Sequence, residues 1–211
     1  MKQALIVQGG WDGHYPKETS AIMAEALRGQ GFEVEVADTL DALRDGERLK
    51  QLNLIVPQWT MGHIEADQLN PLLEAVRSGV GLGGIHGGMG DAFREQTEYQ
   101  FAVGGQWVAH PGGIVTYSVH IEDEPSPITQ DLEDFEVTSE QYYMHVDPAI
   151  EVLATTVFEG IAEKPVVMPV TWTKTYGEGR VFYCSLGHTP DVLELPPVLT
   201  MVTRGLLWAA R

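Results

Sequence analysis

Four histidines, His14, His63, His86 and His188, each follow an apolar run that ends in glycine or polar residues. Imidazole titrates near neutral pH, and in its neutral form it binds metal ions or relays protons. Four of them at the exits of separate runs point to one site assembled by the fold. His86 is the most telling. It sits at the crest of "GVGLGGIHGGMGDAF" (79–93), between two glycine pairs. Glycines packed this closely mark a sharp backbone bend or a close approach. A strand, a tight turn and a helix with a reactive residue at the crest is the geometry of a nucleophile elbow. Here the crest holds an imidazole instead of a hydroxyl or a thiol.

A second group lies in "SEQYYMH" (139–145). Glu140, Tyr142, Tyr143 and His145 place a carboxylate, two phenols and an imidazole within six residues. A buried carboxylate beside histidine serves as a general base or a metal ligand. On a continuous strand Glu140, Tyr142 and Met144 would share one face, with Tyr143 on the other. His110 stands before Pro111 in a glycine-rich stretch and is a further candidate. Trp11 and Tyr15 flank His14 and offer aromatic faces of the kind that pack against the apolar faces of sugars. Trp59 and His63 stand in a comparable place after the third apolar run, whereas Trp172 reads equally well as core. No histidine pair has diagnostic metal spacing. A divalent ion such as Zn, held by His86, His188 and Glu140, would have to be assembled by the fold.

The elements that must position these residues follow from the apolar pattern. "QALIVQGG" (3–10), "LNLIVPQ" (52–58) and "VGLGGI" (80–85) read as buried parallel strands, and "FEVEVA" (32–37) as an edge or half-buried one. Helices are expected over 16–30 and over 65–79, the latter disturbed by Pro71. This βαβ alternation predicts a parallel sheet with helices on both faces. The second half changes character. A helix is expected around 91–103. Strands follow at 113–122, 135–143, 151–158, 165–174 and 180–186, so the sheet should become mixed. An amphipathic helix over 195–211 closes the chain. No internal repeat or linker divides it, and residues 1–211 read as one domain. In such sheets ligands bind beyond the carboxyl ends of the strands, where His14, His86 and His188 are expected.

Composition narrows the function. Thirty acidic residues against thirteen basic give a formal charge of −17 over 211 residues. Such a surface repels nucleic acid. No apolar run is long enough for a membrane span. The N-terminal run lacks a cleavage site and reads as a first strand. A single cysteine, Cys184, excludes an intramolecular disulfide, and a cytoplasmic location is the expectation. Cys184 lies inside the apolar run "VFYCSL", the wrong place for a nucleophilic thiolate.

Motifs in order along the chain resemble the trehalose-utilisation (ThuA-like) family. "GGIHGG" (83–88) is similar to its glycine-rich histidine segment, "GGQWVAHPGG" (104–113) to its His-Pro segment, and "SEQYY" to its acidic-Glu-x-Tyr segment. "PVTWTKTYGEGRVFYCSLGH" (169–188) resembles its long closing motif. Two positions depart from the pattern. Ser139 stands where the family often has Asp, and Ser126 where it often has His before Pro127. The resemblance implies a class I glutamine amidotransferase-like, flavodoxin-like α/β fold, with His86 in place of the amidotransferase cysteine. It also implies a sugar substrate, such as a keto-glycoside. A keto group acidifies the neighbouring C–H, so His86 or Glu140 could act as base and His188 as electrophile or acid, with or without a metal. The expected roles are therefore catalytic for His86, Glu140 and His188, and substrate-binding for Trp11, His14, Tyr15, His110, Tyr142, Tyr143 and His145. Lyase, isomerase and hydrolase chemistry all remain open. So do a non-catalytic sugar- or metal-binding module and a homo-oligomeric state.

Overall fold

The computed structural model describes all 211 residues. Eleven strands and seven helices alternate along the chain. The first half is β1 (Lys2–Gly10), α1 (Pro16–Gly29), β2 (Phe32–Ala37), the short α2 (Gly46–Leu49), β3 (Leu54–Thr60), α3 (Ala66–Arg77), β4 (Gly81–Ile85) and the five-residue α4 (His86–Gly90). Then come α5 (Thr97–Val103), β5 (Gly105–Ala109), β6 (Ile114–Ile121), β7 (Phe135–Glu140), β8 (Tyr143–Val146), β9 (Glu151–Phe158), β10 (Val166–Tyr176) and β11 (Gly179–Cys184). The short α6 (Pro190–Leu193) and α7 (Pro196–Ala209) close the chain.

Nine strands form one sheet in the order β2-β1-β3-β4-β11-β10-β9-β6-β7, and β5 pairs with β8 apart from it. The run from β2 to β11 is parallel, and β10, β9, β6 and β7 follow antiparallel. The expected mixed sheet is therefore present. β2 is its edge, as the acidic alternation of "FEVEVA" suggested. The apolar middles of β1 and β3, and all of β4, are covered on both faces. Leu5, Val7 and Ile55 join one core of 28 buried residues with Leu72, Val76 and Ala102. Ala4, Ile6 and Val56 join another of 27 with Met23, Leu27 and Met201. Residues alternate between the cores because strand side chains alternate between faces.

Three local expectations are corrected. The stretch 91–103 is not one helix. α4 ends at Gly90, and Asp91 to Gln96 form a loop before α5 begins. The strand expected over 135–143 ends at Glu140, and the chain restarts as β8 at Tyr143. The simple alternation from Glu140 to Met144 is broken there. The glycine-rich stretch around His110 contains a strand, β5, whose pairing with β8 overrides its poor strand composition. Pro71 lies inside α3, whose start is fixed by a capping box between Glu65 and Gln68.

Two features of this sheet matter for the site. Counting directions across it, β1, β3, β4, β11 and β7 all point their carboxyl ends to one edge. Yet β7 is five places from β4, and a flat sheet would hold them about 24 Å apart. The register between β6 and β9 explains how the gap closes. It contains only His120↔Thr155 and Ile121↔Ala154. Beyond that point the β6–β7 hairpin leaves the sheet. Its inner residues Tyr117, Val119 and Val137 belong to the second core with Val192 and Leu193 of α6. The hairpin thereby brings the end of β7 back over the carboxyl edge.

Cys184 ends β11 with no exposed surface, and burial pushes its thiol up to about 11. We expect Cys184→Ala to lower stability by roughly 1 kcal/mol and to leave any activity within a few-fold. A thiol reagent should label the wild type only as it unfolds. Rapid labelling of the native protein would contradict this placement.

Candidate metal and acid–base centre

His86 follows β4 directly, with its own φ at +44° in the left-handed region. An L-residue adopts that conformation only under constraint. The constraint is visible at both ends of the turn. The His86 Nδ1–H donates to the Ser185 carbonyl at 2.7 Å, and the Tyr183 hydroxyl donates to the His86 carbonyl at 3.0 Å. Both partners belong to β11 or its exit, next to β4. Gly87 must lack a side chain, since a Cβ there would lie 2.5 Å from the His14 ring. The glycine-flanked turn thus exists to let two imidazoles from different strands approach each other.

His14 ends a single 3-10 turn after β1 and is buried. Its Nδ1 is 2.9 Å from Thr60 Oγ1 at the end of β3. His188 follows β11 beyond Gly187. Glu140 is the last residue of the returning β7. Glu140 Oε2 lies 3.1 Å from His86 Nε2, 3.3 Å from His188 Nδ1 and 3.6 Å from His14 Nε2. His86 Nε2 is 3.2 Å from His188 Nδ1. All four ligand atoms fall within 4.8 Å of one another. His110 stands beside them with Nε2 3.6 Å from the other carboxylate oxygen, Glu140 Oε1.

The protonation states make this crowding informative. A carbonyl can only accept, so His86 Nδ1 carries the ring proton and Nε2 of the neutral ring is a bare lone pair. Burial dominates and lowers the His86 pKa from 6.5 to about 4, against the opposing pull of Glu140. Burial alone would raise the Glu140 pKa. The imidazoles of His14, His188 and His86 around it outweigh burial and hold it below the ordinary carboxylate range. With the ring proton on Nδ1, the His86 lone pair and the carboxylate face each other at 3.1 Å with no proton of their own to share, and His188 Nδ1, at 3.2 and 3.3 Å, is the group placed to donate to either. A cation between these atoms would resolve the repulsion. Tetrahedral zinc with bonds of about 2.0–2.1 Å has ligand-to-ligand edges of about 3.3–3.4 Å. Four of the six separations, 3.1, 3.2, 3.3 and 3.6 Å, lie near that edge, and no pair exceeds 4.8 Å. Three imidazoles and one carboxylate favour Zn or a similar ion over Ca or Mg, which prefer all-oxygen shells. The Ser185 carbonyl and Thr60 hydroxyl would then take the usual part of outer groups that fix ring orientation.

The expected triad of His86, Glu140 and His188 is thus brought together, with His110 at its rim. His14, expected on a substrate wall, joins the donor cluster itself. Tyr142 stacks on His86 with ring centroids 4.0 Å apart, so it is buried packing behind the imidazole. Trp11 and Tyr15 lie around His14 and are about half exposed. Two residues expected to bind substrate lie elsewhere. Tyr143 packs on Phe158. His145 is exposed on β8 opposite Gln106, lining a separate cavity with Phe101 and Pro148. The break after Glu140 and the start of β8 turn both away. His63 is exposed and Trp172 is fully buried core. Ser139 is buried on β7, and Ser126 lies in the loop between β6 and β7, neither among the donors.

Sequence reasoning missed Thr60 and Ser185. The available signal was their position at the carboxyl ends of β3 and β11. It also missed Asp91, Arg94 and Trp107. Arg94 forms a two-pronged ion pair with buried Asp91 and lies over the Trp107 ring, which neighbours His110. Nothing in the local pattern marked them.

The model of a family described as trehalose utilisation (ThuA) matches residues 3–209. The chain belongs to the ThuA family. Membership supports a carbohydrate-related role for this ThuA protein. A search of the curated proteins finds no match. Among solved structures, a ThuA-like protein from Parabacteroides merdae superposes with a TM-score of 0.81 at 17% identity, covering 99% of this chain and 89% of that one. One from Bacteroides uniformis gives 0.81 at 17% identity, covering 99% and 91%. A cytoplasmic protein from Salmonella typhimurium gives 0.69 at 15% identity over the full length of both chains. At these identities the likeness concerns the fold. No helix of this ThuA protein is long and apolar enough to cross a membrane.

The burial of His86 has a measurable consequence for the metal-free protein. Its folded-state pKa lies below the ordinary 6.5, so between pH 6.5 and 4 the unfolded chain binds a proton that the folded chain refuses. Stability must fall on acidification through that window, by up to about 3 kcal/mol. Glu140 adds to the loss only below its ordinary 4.5. Urea midpoints measured from pH 7 to 4.5 should show this slope, and His86→Gln should flatten it. An equal slope in the variant would remove His86 as its source.

Proposed function

We propose that this ThuA protein is a divalent-cation-assisted enzyme of carbohydrate metabolism, acting by acid–base chemistry on a sugar or keto-glycoside in the cytoplasm. The observation that carries the reading is the donor set. A buried, bare imidazole nitrogen and a carboxylate oxygen face each other at 3.1 Å, with two further imidazoles closing the group. Protons on His188 Nδ1 and His14 Nε2 can reach these two atoms one at a time, whereas a single cation would engage all four donors together.

His14, His86, His188 and Glu140 are the residues that would hold the ion. When bound, it would supply a Lewis acid for a substrate carbonyl or hydroxyl oxygen. The remaining work falls to the chain. Glu140 Oε2 faces the imidazoles, leaving Oε1 toward His110. His110 is the imidazole of the group outside the donor set, and its side chain is 36% exposed. It is placed to move a proton between a substrate oxygen or carbon and solvent. The strained turn holds His86 rigidly, and Tyr142 behind it prevents the ring from swinging back. Enolisation, isomerisation and elimination beside a keto group all need this pairing of a carbonyl-polarising group with a mobile proton carrier. The acidic surface, which favours neutral substrates over anionic ones, agrees with a sugar.

Metal analysis of protein purified without chelator, followed by zinc titration of the stripped protein, tests the reading. One ion should bind per chain. His86→Ala and Glu140→Gln should each weaken zinc by more than the roughly 10–100-fold typical of losing an outer-shell partner. Thr60→Val, which touches only His14 Nδ1, should fall within that smaller range. Failure of the wild type to bind zinc, cobalt or manganese would leave the cluster a metal-free acid–base site at best.

A further inference from the structure

We propose that Trp11 is a stacking platform for a pyranose ring, placed so that an oxygen of the bound sugar reaches the cluster at His14. The inference rests on the carbohydrate reading above and adds the position and chemical class of the recognition surface.

The chain has five tryptophans. Trp172 is fully buried, and Trp59, Trp107 and Trp208 are partly covered. Trp11 alone is widely open, with 48% of its surface exposed. An isolated exposed aromatic on a mobile loop would mean little, but this one is fixed on three sides. Its backbone N–H donates to the Thr60 carbonyl at 3.2 Å, tying the loop to the end of β3. Its ring meets the His14 ring edge-on, with centroids 4.8 Å apart and planes at 75°. Its six-membered edge lies over Gly13, where a Cβ would come within 2.3 Å of the indole. Glycine at position 13 is thus required for the ring to lie where it does.

The backbone that follows is also constrained. Tyr15 has φ +48°, left-handed for a bulky residue, and is 44% exposed. Its carbonyl accepts from both the Thr19 backbone N–H and the Thr19 hydroxyl, at 3.0 and 2.8 Å. Such strain costs of order 1–3 kcal/mol and persists where the surrounding structure over-determines it, as it often does at binding sites. The loop from Trp11 to Tyr15 therefore carries two open aromatic residues, and the ring of one of them, Trp11, lies against the buried donor His14.

The chemistry of the ligand follows. An indole face in water gains most from a flat apolar surface, and its negative quadrupole favours the polarised C–H groups of a sugar ring. A pyranose in the gluco configuration has such C–H faces with hydroxyls around its rim. A ring lying on Trp11 directs rim oxygens toward His14 and the donor set. A flat aromatic metabolite would also stack, but it lacks the ring of oxygens that the cluster's imidazoles and cation would engage.

The test uses the full-length protein with trehalose and methyl α-D-glucopyranoside as probes, read by calorimetry and tryptophan fluorescence, with zinc titrated in parallel. Both sugars should bind saturably and shift the wild-type fluorescence. Trp11→Ala should weaken binding at least tenfold, and Trp11→Phe, which keeps a smaller aromatic face, by less. Zinc affinity and melting temperature should be unchanged in Trp11→Phe, separating recognition from support of His14. Wild-type affinity for the sugars in Trp11→Ala would overturn the platform. So would a wild type that takes up zinc but binds neither sugar. If the sugars bind, and lose their affinity in Trp11→Ala, while no metal binds, the platform stands and the metal reading falls.

Discussion

Three imidazole nitrogens converge on one carboxylate oxygen, Glu140 Oε2, and most of the architecture is organised by that convergence. His14, His86 and His188 come from the exits of β1, β4 and β11, which lie close together in the sheet. Parallel strands deliver such groups to one edge without special arrangement. Glu140 does not come free in this way. Its strand is last in the order, and only a hairpin that abandons β9 after two residue pairs can bring it to His86. The separate β5–β8 pairing completes the same movement. Ala109 opposite Tyr143 places His110 beside Tyr142 and hence beside the carboxylate.

The electrostatics explain why this convergence has to be held by force. A buried imidazole with its pKa near 4 and an ionised carboxylate have nothing to share at neutral pH. The folded chain keeps them together through bonds on their far sides: Ser185 on His86, Thr60 on His14, and the Tyr117 hydroxyl on the Glu140 carbonyl. The first two orient a ring from behind and leave its other nitrogen facing the cluster, while the third ties down the backbone that carries the carboxylate. The same design distinguishes this site from the ion pair between buried Lys174 and partly exposed Asp147. There the ammonium also donates to the Phe101 carbonyl, so the charged groups are satisfied by one another and by backbone.

How far the site was legible in sequence depended on which of two rules applied. His86 and His188 could be placed from residue pattern alone, because an apolar run followed by glycine fixes both the strand and its exit. His14 was placed near the site by the same rule, but its role as a donor depends on Gly87 admitting its ring, a distance no pattern encodes. Glu140 and His110 could be picked out as candidates by residue type and neighbours, but not placed at the site, since nothing local to β7 announces that it leaves the sheet. Tyr143 and His145 were misjudged because they were grouped with Glu140 by closeness in sequence, although alternation puts Tyr143 on the other face and the strand stops at Glu140. There Gln141 turns its amide to the Thr156 hydroxyl and the Val157 carbonyl of β9, and Tyr142 goes to His86. A side-chain bond to a distant strand won over local periodicity. β5 was missed for a related reason: its pairing partner, not its own composition, makes it a strand.

Strain is distributed to match. Five non-glycine residues have positive φ, and four of them, Tyr15, Met61, His86 and Phe93, follow β1, β3 and β4 at the carboxyl edge. Their loops are laced together by backbone bonds from Met61 N–H to the Asp91 carbonyl and from Phe93 N–H to the Met61 carbonyl. At roughly 1–3 kcal/mol each, four such residues would consume much of the net stability of an ordinary domain. Two cores of 28 and 27 buried residues below the edge supply the compensation. Strain of that size has no use on an edge that merely caps a sheet. It has one where donors must be fixed before a ligand arrives, because a group already in place loses no conformational freedom on binding and undergoes no reorganisation during reaction. The apolar strands and the strained loops are therefore one device. The first half of each βα unit builds the rigidity, and the residues just past its end spend it on holding His14 and His86 against a carboxylate they would otherwise avoid.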